Sequence, residues 1–212
     1  MKRPGLTEAK LVQAAADLAD EAGLPAVTVS ALARRFAVRP ASIYSHITGL
    51  DGLLDLTAAL ALQELADALA EALPGKAGRE ALFAFADTHR DYALAHPGRW
   101  QAAQRRVSAE AADAADGGAG RVIARAARAI VSGYGLSPHD EVHAVRLLGS
   151  AINGFVTLES GGGFDHSEPA AAVSWARVLD AIDTSLRNWP RADLDQPGPQ
   201  HPDPQHPDHI TD

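Results

Sequence analysis

Four side chains between residues 39 and 46 are of the kind that read nucleic acid. Arg39, Ser42, Tyr44 and His46 offer a guanidinium, two hydroxyls and an imidazole, and no carboxylate stands among them. A surface rich in donors and free of negative charge suits phosphate oxygens and the acceptor-bearing edges of base pairs. Pro40, Ala41 and Ser45 complete the same short stretch and belong to the set expected to contact the nucleic acid.

The elements that must hold this surface out are visible in the spacing. Ile43 and Ile47, four apart, are the only strongly apolar residues of the segment, so they mark the inner side of a helix for which Pro40 suits the first turn. Just upstream, Val29, Leu32, Ala33 and Phe36 fall at i, i+3, i+4 and i+7 and lay one apolar stripe along a preceding helix. Thr28 is placed to cap that helix. Two short helices therefore meet at a tight corner, Ala37-Val38. Thr28 and Ser30, with Lys2 and Arg3 in an N-terminal arm, are expected to touch the DNA backbone.

This segment resembles the helix-turn-helix of the TetR/AcrR family of bacterial transcriptional regulators, where a small residue and Val at the turn lead into a Leu/Ile-Tyr pair and then His. Here those positions read Ala37-Val38 and Ile43-Tyr44-Ser45-His46, and the likeness extends back through the first helix and forward to Leu53-Leu54. The turn residue commonly Gly in the family is Ala37, and the Lys that often opens the next helix is Leu50. The resemblance implies a ligand-responsive homodimer, most simply a repressor, released from a palindromic operator by a small-molecule effector. It also implies that the last two long helices of each subunit form a four-helix dimer interface, here through Leu148, Ile152, Phe155, Val173, Leu179, Ile182 and Leu186.

Composition sets the frame. The chain has 212 residues, 46% of them hydrophobic, with abundant Ala and Leu and few β-branched runs, so an all-α protein of about nine helices is expected. With no cysteine there is no disulfide, thiol nucleophile or thiolate metal site to consider. No apolar run is long enough to span a membrane, and the reading is a soluble, cytoplasmic protein. The formal net charge of −8 looks unfavourable for binding DNA, yet up to residue 56 six basic and six acidic side chains balance. The acidity lies in the remainder, where it limits indiscriminate adhesion to nucleic acid. The organisation read from the chain is a helix-turn-helix domain over 1–50, a helical ligand-binding and dimerisation domain over 51–190, and a Pro/His/Asp-rich disordered tail over 191–212.

Along the chain, Thr7 and Gly23 bound the first helix, and Thr48 with Asp51 reads as a capping box for a long fourth helix. On the fifth, about Arg79 to Ala95, Leu82, Phe85, His89 and Tyr92 share a face, with Thr88 beside them. For any single residue, core packing around a hydrogen-bonded His89 is the simpler account. As a set, an aromatic wall with His, Thr and Tyr tips is what a small-molecule pocket between helices requires. His96-Pro97-Gly98 reads as a break, and a short helix about Arg99 to Arg106 brings Trp100 inward, a region that the family resemblance puts at the pocket mouth; Tyr134 and Asn153 from later helices are expected to join the pocket. Residues 111–120 read as a connection, Arg121 to Tyr134 as a helix, Ser137-Pro138-His139-Asp140 as a strong helix start, and about Glu168 to Trp189 as the last helix.

His139 and His143 have metal-ligand spacing, but Asp140 stands where a zinc protease needs Glu directly after the first His. The run Gly161-Gly162-Gly163 follows a helix and lacks Lys-Ser/Thr, so it reads as a hinge. No catalytic constellation emerges, and neither cofactor nor metal is called for. A second reading is a helical small-molecule carrier or sensor whose head has lost DNA binding, with Ala37 and Leu50 as symptoms. A third, weaker reading is a helical enzyme using His89 and Tyr92.

Overall fold

The computed structural model describes residues 6–105 and 118–190, and in that span the chain forms nine α-helices and one 3-10 turn, with no strand. They are α1 (Glu8–Ala22), α2 (Val29–Phe36), α3 (Pro40–Tyr44), α4 (Leu50–Ala72), α5 (Gly78–Ala95), α6 (Pro97–Ala103), α7 (Ala119–Ser132), α8 (Pro138–Ser160) and α9 (Ala171–Arg187). The tail and the Lys2-Arg3 arm lie outside the described residues, as does most of the expected connection at 111–120.

Several boundaries follow from caps that the sequence announces. The hydroxyls of Thr7, Thr28 and Ser137 accept hydrogen bonds from the amides of Lys10, Ala31 and Asp140 at 3.3, 3.1 and 3.1 Å, which satisfies amides that a helix start leaves without intrahelical partners. The expected capping box before α4 does not form. Gly49, at φ 136°, is the N-cap, and no side-chain hydrogen bond closes that end. The seventh helix begins two residues earlier and ends two earlier than expected, and α9 is shorter at both ends than the predicted span.

Two apolar clusters organise the packing. One joins Leu11, Ala15, Leu32, Ile43 and Ile47 with Leu53 and Leu54 from the start of α4. The other runs from Ala61 and Leu65 of α4 through Leu82, Phe85, Trp100, Leu148, Ile152, Trp175 and Leu179. Helix α4 therefore contributes to both cores, and Thr57, fully buried between them, satisfies its hydroxyl on the Leu53 carbonyl at 2.8 Å.

Six of the seven residues expected at a dimer interface, Leu148, Ile152, Phe155, Leu179, Ile182 and Leu186, are instead buried within their own subunit. The periodicity that singled them out marks an inner face, and that face is already occupied by α5 and its neighbours. Of the set only Val173 is exposed.

Candidate functional site

The helix-turn-helix is seated from beneath. Ile43 and Ile47 are buried in the first cluster, so the opposite surface of α3 and the residues after it stand in solvent: Arg39, Pro40, Ala41, Ser42, Tyr44 and Ser45 are exposed, Tyr44 by 58%, and His46 is half-buried. Ser45 turns its hydroxyl onto the Ser42 carbonyl at 2.8 Å. Thr28 and Ser30, at the start of α2, are exposed as well. The corner between the helices puts Ala37 at φ 54°, ψ 44°, the left-handed region, with its amide bonded to the Arg34 carbonyl and the Val38 amide to the Ala33 carbonyl. This is a glycine-type helix ending built on alanine.

The three arginines around the motif divide into two kinds. Arg35 turns back to α1 and bonds both carboxylate oxygens of Glu21, at 2.8 and 3.1 Å. That contact lowers the Glu21 carboxyl below its ordinary range and raises the guanidinium. Arg34 and Arg39 are exposed and make no ion pair among the described residues. A basic cluster in sequence thus becomes one structural arginine and two available ones.

Behind the head, α6 is clamped onto α1. Gly98 is buried, and a Cβ built on it would lie 2.0 Å from the Ala19 carbonyl carbon, so the two backbones touch where only glycine fits. Beside it Arg99 is 8% exposed. Its amide donates to Asp20 at 2.9 Å and its guanidinium to Asp17 at 2.7 Å, and the same guanidinium lies 3.6 Å from Glu64 on α4. Arg99 Nε is 3.3 Å from an Asp20 oxygen, yet it is not aligned for a hydrogen bond. Tyr92 of α5 donates to Glu64 at 2.8 Å, and burial, then that carboxylate, push its phenol well above the ordinary value. Sequence reasoning missed this clamp, because nothing local distinguishes Gly98 or Arg99 from ordinary turn residues.

The seven residues expected to line a pocket occupy the second core and its margin. Phe85, His89, Tyr92 and Trp100 are buried; Thr88, Tyr134 and Asn153 are half-buried. Several of their polar tips are engaged internally: Thr88 donates to the Ala84 carbonyl at 2.7 Å and Tyr134 to Asp183 at 2.7 Å. Others are not. Trp100 Nε1 and Asn153 Oδ1 are buried without a hydrogen-bond partner among the described residues. A separate apolar groove of about 310 Å³ lies between α4 and α7, walled by Leu69, Leu73, Val122, Ile123 and Ala126, and none of the seven lines it. His139 and His143 stack edge to face with ring centroids 4.8 Å apart, and no set of three potential metal ligands converges among the described residues.

Compared with curated proteins, the chain is 30% identical over 173 residues to the HTH-type transcriptional regulator Rv0681 of Mycobacterium tuberculosis, covering 80% of this chain and 77% of that one. Residues 82–182 match the tetracyclin repressor-like C-terminal domain. This chain belongs to the TetR family of transcriptional regulators. The HTH-type transcriptional regulator YobS of Bacillus subtilis is 28% identical over 187 residues, covering 88% of this chain and 92% of that one. Among solved structures, a TetR variant from Acinetobacter baumannii in complex with minocycline superposes with a TM-score of 0.64 at 22% identity, covering 87% of this chain and 98% of that one. The TetR-family fold accounts for the order of helices seen here, a helix-turn-helix head followed by a helical body. Among the described residues no helix is long and apolar enough to cross a membrane.

Proposed function

We propose that this regulator is a homodimeric repressor that binds a roughly palindromic operator and leaves it when a small-molecule effector enters the body. The observation that carries the reading is the exposed face of Arg39, Ser42, Tyr44 and Ser45 over a helix anchored by two buried isoleucines. Those residues and His46 face base edges and phosphate, while Thr28, Ser30 and the Lys2-Arg3 arm hold the backbone. In a twofold dimer the two α3 helices sit roughly one turn of DNA apart, about 34–36 Å.

For the dimer surface the reading shifts from the buried set to the outer side of the same two helices. Leu147, Ser150, Gly154 and Leu158 recur at helical spacing on α8, and Val173 and Ala176 stand exposed on α9. Gly149 and Gly154 open onto free space, which suits close approach of a second copy. For the response, Arg99 and Trp100 are neighbours on α6, so an effector that displaces the Trp100 side of this helix draws Arg99 away from Asp17 and Asp20 and tilts the head.

The test begins with DNA fragments selected by the purified protein. Tyr44→Ala is expected to weaken their retention at least tenfold in a mobility-shift titration with the circular dichroism spectrum unchanged. Wild-type affinity in that variant would sink the assignment. Failure of the wild-type chain to bind any DNA in a salt-dependent way would favour the carrier reading, whose specific support is the strained Ala37.

A further inference from the structure

Two polar side chains meet in the second core, and one of them carries an atom that no fold requirement explains. Trp100 is 5% exposed and its indole Nε1 donates to nothing among the described residues. His89, 7% exposed, holds the Phe85 carbonyl at 2.7 Å through Nδ1. A carbonyl only accepts, so Nδ1 carries the proton and Nε2 is the acceptor of the ring. Burial favours this uncharged form, lowering the imidazole below its ordinary range against the opposing effect of the Phe85 contact. The two rings stand edge to face with centroids 6.2 Å apart, and Phe85 lies against His89 at 4.3 Å. A donor and an acceptor thus sit side by side in an aromatic enclosure. Leaving such a donor unmatched is costly, and buried orphans of this kind are few in folded proteins.

We propose that Trp100 and His89 form the polar anchor of the effector site, and that the effector class is an uncharged, flat molecule bearing a carbonyl or ether oxygen that accepts from Trp100 Nε1. A hydroxyl on the same molecule has its partner in His89 Nε2. An anion is disfavoured because both arginines adjacent in sequence are already held, Arg99 by Asp17 and Asp20 with Glu64 close by and Arg90 by Glu159, and His89 is neutral. Entry requires the α5–α6 seam to part, since the anchor is packed within the core. This inference rests on the proposed reading of the body as an effector domain, so binding and DNA release are scored separately.

The probes are acetophenone and isopropylbenzene, which share a shape and differ in the carbonyl. Indole N–H resonances of the 15N-labelled full chain report each tryptophan, and Trp175→Phe and Trp189→Phe assign the Trp100 signal by elimination without touching the anchor. Acetophenone is expected to move the Trp100 resonance and to bind about tenfold more tightly than isopropylbenzene, the value of one matched neutral hydrogen bond. Trp100→Phe, which keeps the ring and removes the donor, is expected to equalise the two. Equal binding by wild type, a stationary Trp100 resonance, or preference retained in Trp100→Phe would each overturn the anchor; so would no binding of either probe, and a lower melting temperature in Trp100→Phe would then mark a structural water on the indole instead. Compounds that release selected DNA from wild type and Trp100→Phe alike would overturn the anchor and leave the effector reading standing. Carbonyl-selective binding without any release would support the anchor and overturn that reading.

Discussion

A methyl group placed on Gly98 would lie 2.0 Å from the carbonyl carbon of Ala19, closer than real side-chain carbons approach any backbone atom. The contact brings the amide of Arg99 onto Asp20 at 2.9 Å, so the two helices are fastened by backbone proximity and by charge together. Gly98→Ala is therefore expected to destabilise the protein by about 3 kcal/mol, the upper range for forcing volume into a packed interface. Urea unfolding of wild type and variant checks it, and a loss below about 1 kcal/mol would show that α6 shifts away without cost.

Ala37 adopts φ 54°, where an L-residue is disfavoured and glycine is at ease. Replacing it with glycine relieves that strain but adds freedom to the unfolded chain. The net expectation for Ala37→Gly is a gain of about 0.5–1 kcal/mol, read as a rise of a few degrees in melting temperature.

The arginines around the motif are expected to separate experimentally. Arg39 is exposed and unpaired among the described residues, so Arg39→Ala should weaken DNA binding across all sequences and reduce the salt slope by about 1. Arg35 is held by Glu21, so Arg35→Ala should leave that slope unchanged. Mobility-shift titrations at several salt concentrations distinguish the two, and equal slope changes would place Arg35 on the DNA as well.

His89 gives a direction for pH. Its folded value lies below the ordinary 6.5 because burial disfavours the imidazolium. The unfolded chain therefore takes up the proton first on acidification. Stability is unaffected above about pH 6.5 and falls as pH drops from there toward the folded value, by up to about 1.4 kcal/mol per pH unit. Unfolding free energies at pH 7.5 and 5.5 are expected to differ more for wild type than for His89→Leu by roughly 1 kcal/mol; equal differences would mean the imidazole charges in place.

What could be read in advance follows from the range of the forces involved. Thr28, Ser137 and the pair Ile43/Ile47 act within four residues of themselves, so their roles as caps and anchors were legible from spacing alone. Leu148, Ile152 and Leu179 illustrate where such reading stops. A helical stripe announces that a face is covered but not by which partner, and here the covering is the subunit's own α5 and its neighbours. Gly98, Arg99 and Arg35 depend on residues between 14 and 82 positions away, and no local pattern distinguishes a glycine that two backbones need from one that merely turns the chain. The polar tips of Thr88 and Tyr134, expected to line a pocket, are engaged by Ala84 and Asp183. Only the structure separates them from the unmatched Trp100.

Asp17 receives Arg99 at 2.7 Å from one side and lies 3.8 Å from Arg35 on the other. Asp17 thus touches the body and the reading head at once, and the head takes its bearing in part from a residue encoded 82 positions downstream. A chimera that grafts residues 1–55 onto an unrelated body would leave Asp17 and Asp20 without Arg99 and Ala19 without its glycine ridge. Swapped heads of this regulator will keep their register on DNA only when the stretch containing Gly98 and Arg99 travels with them.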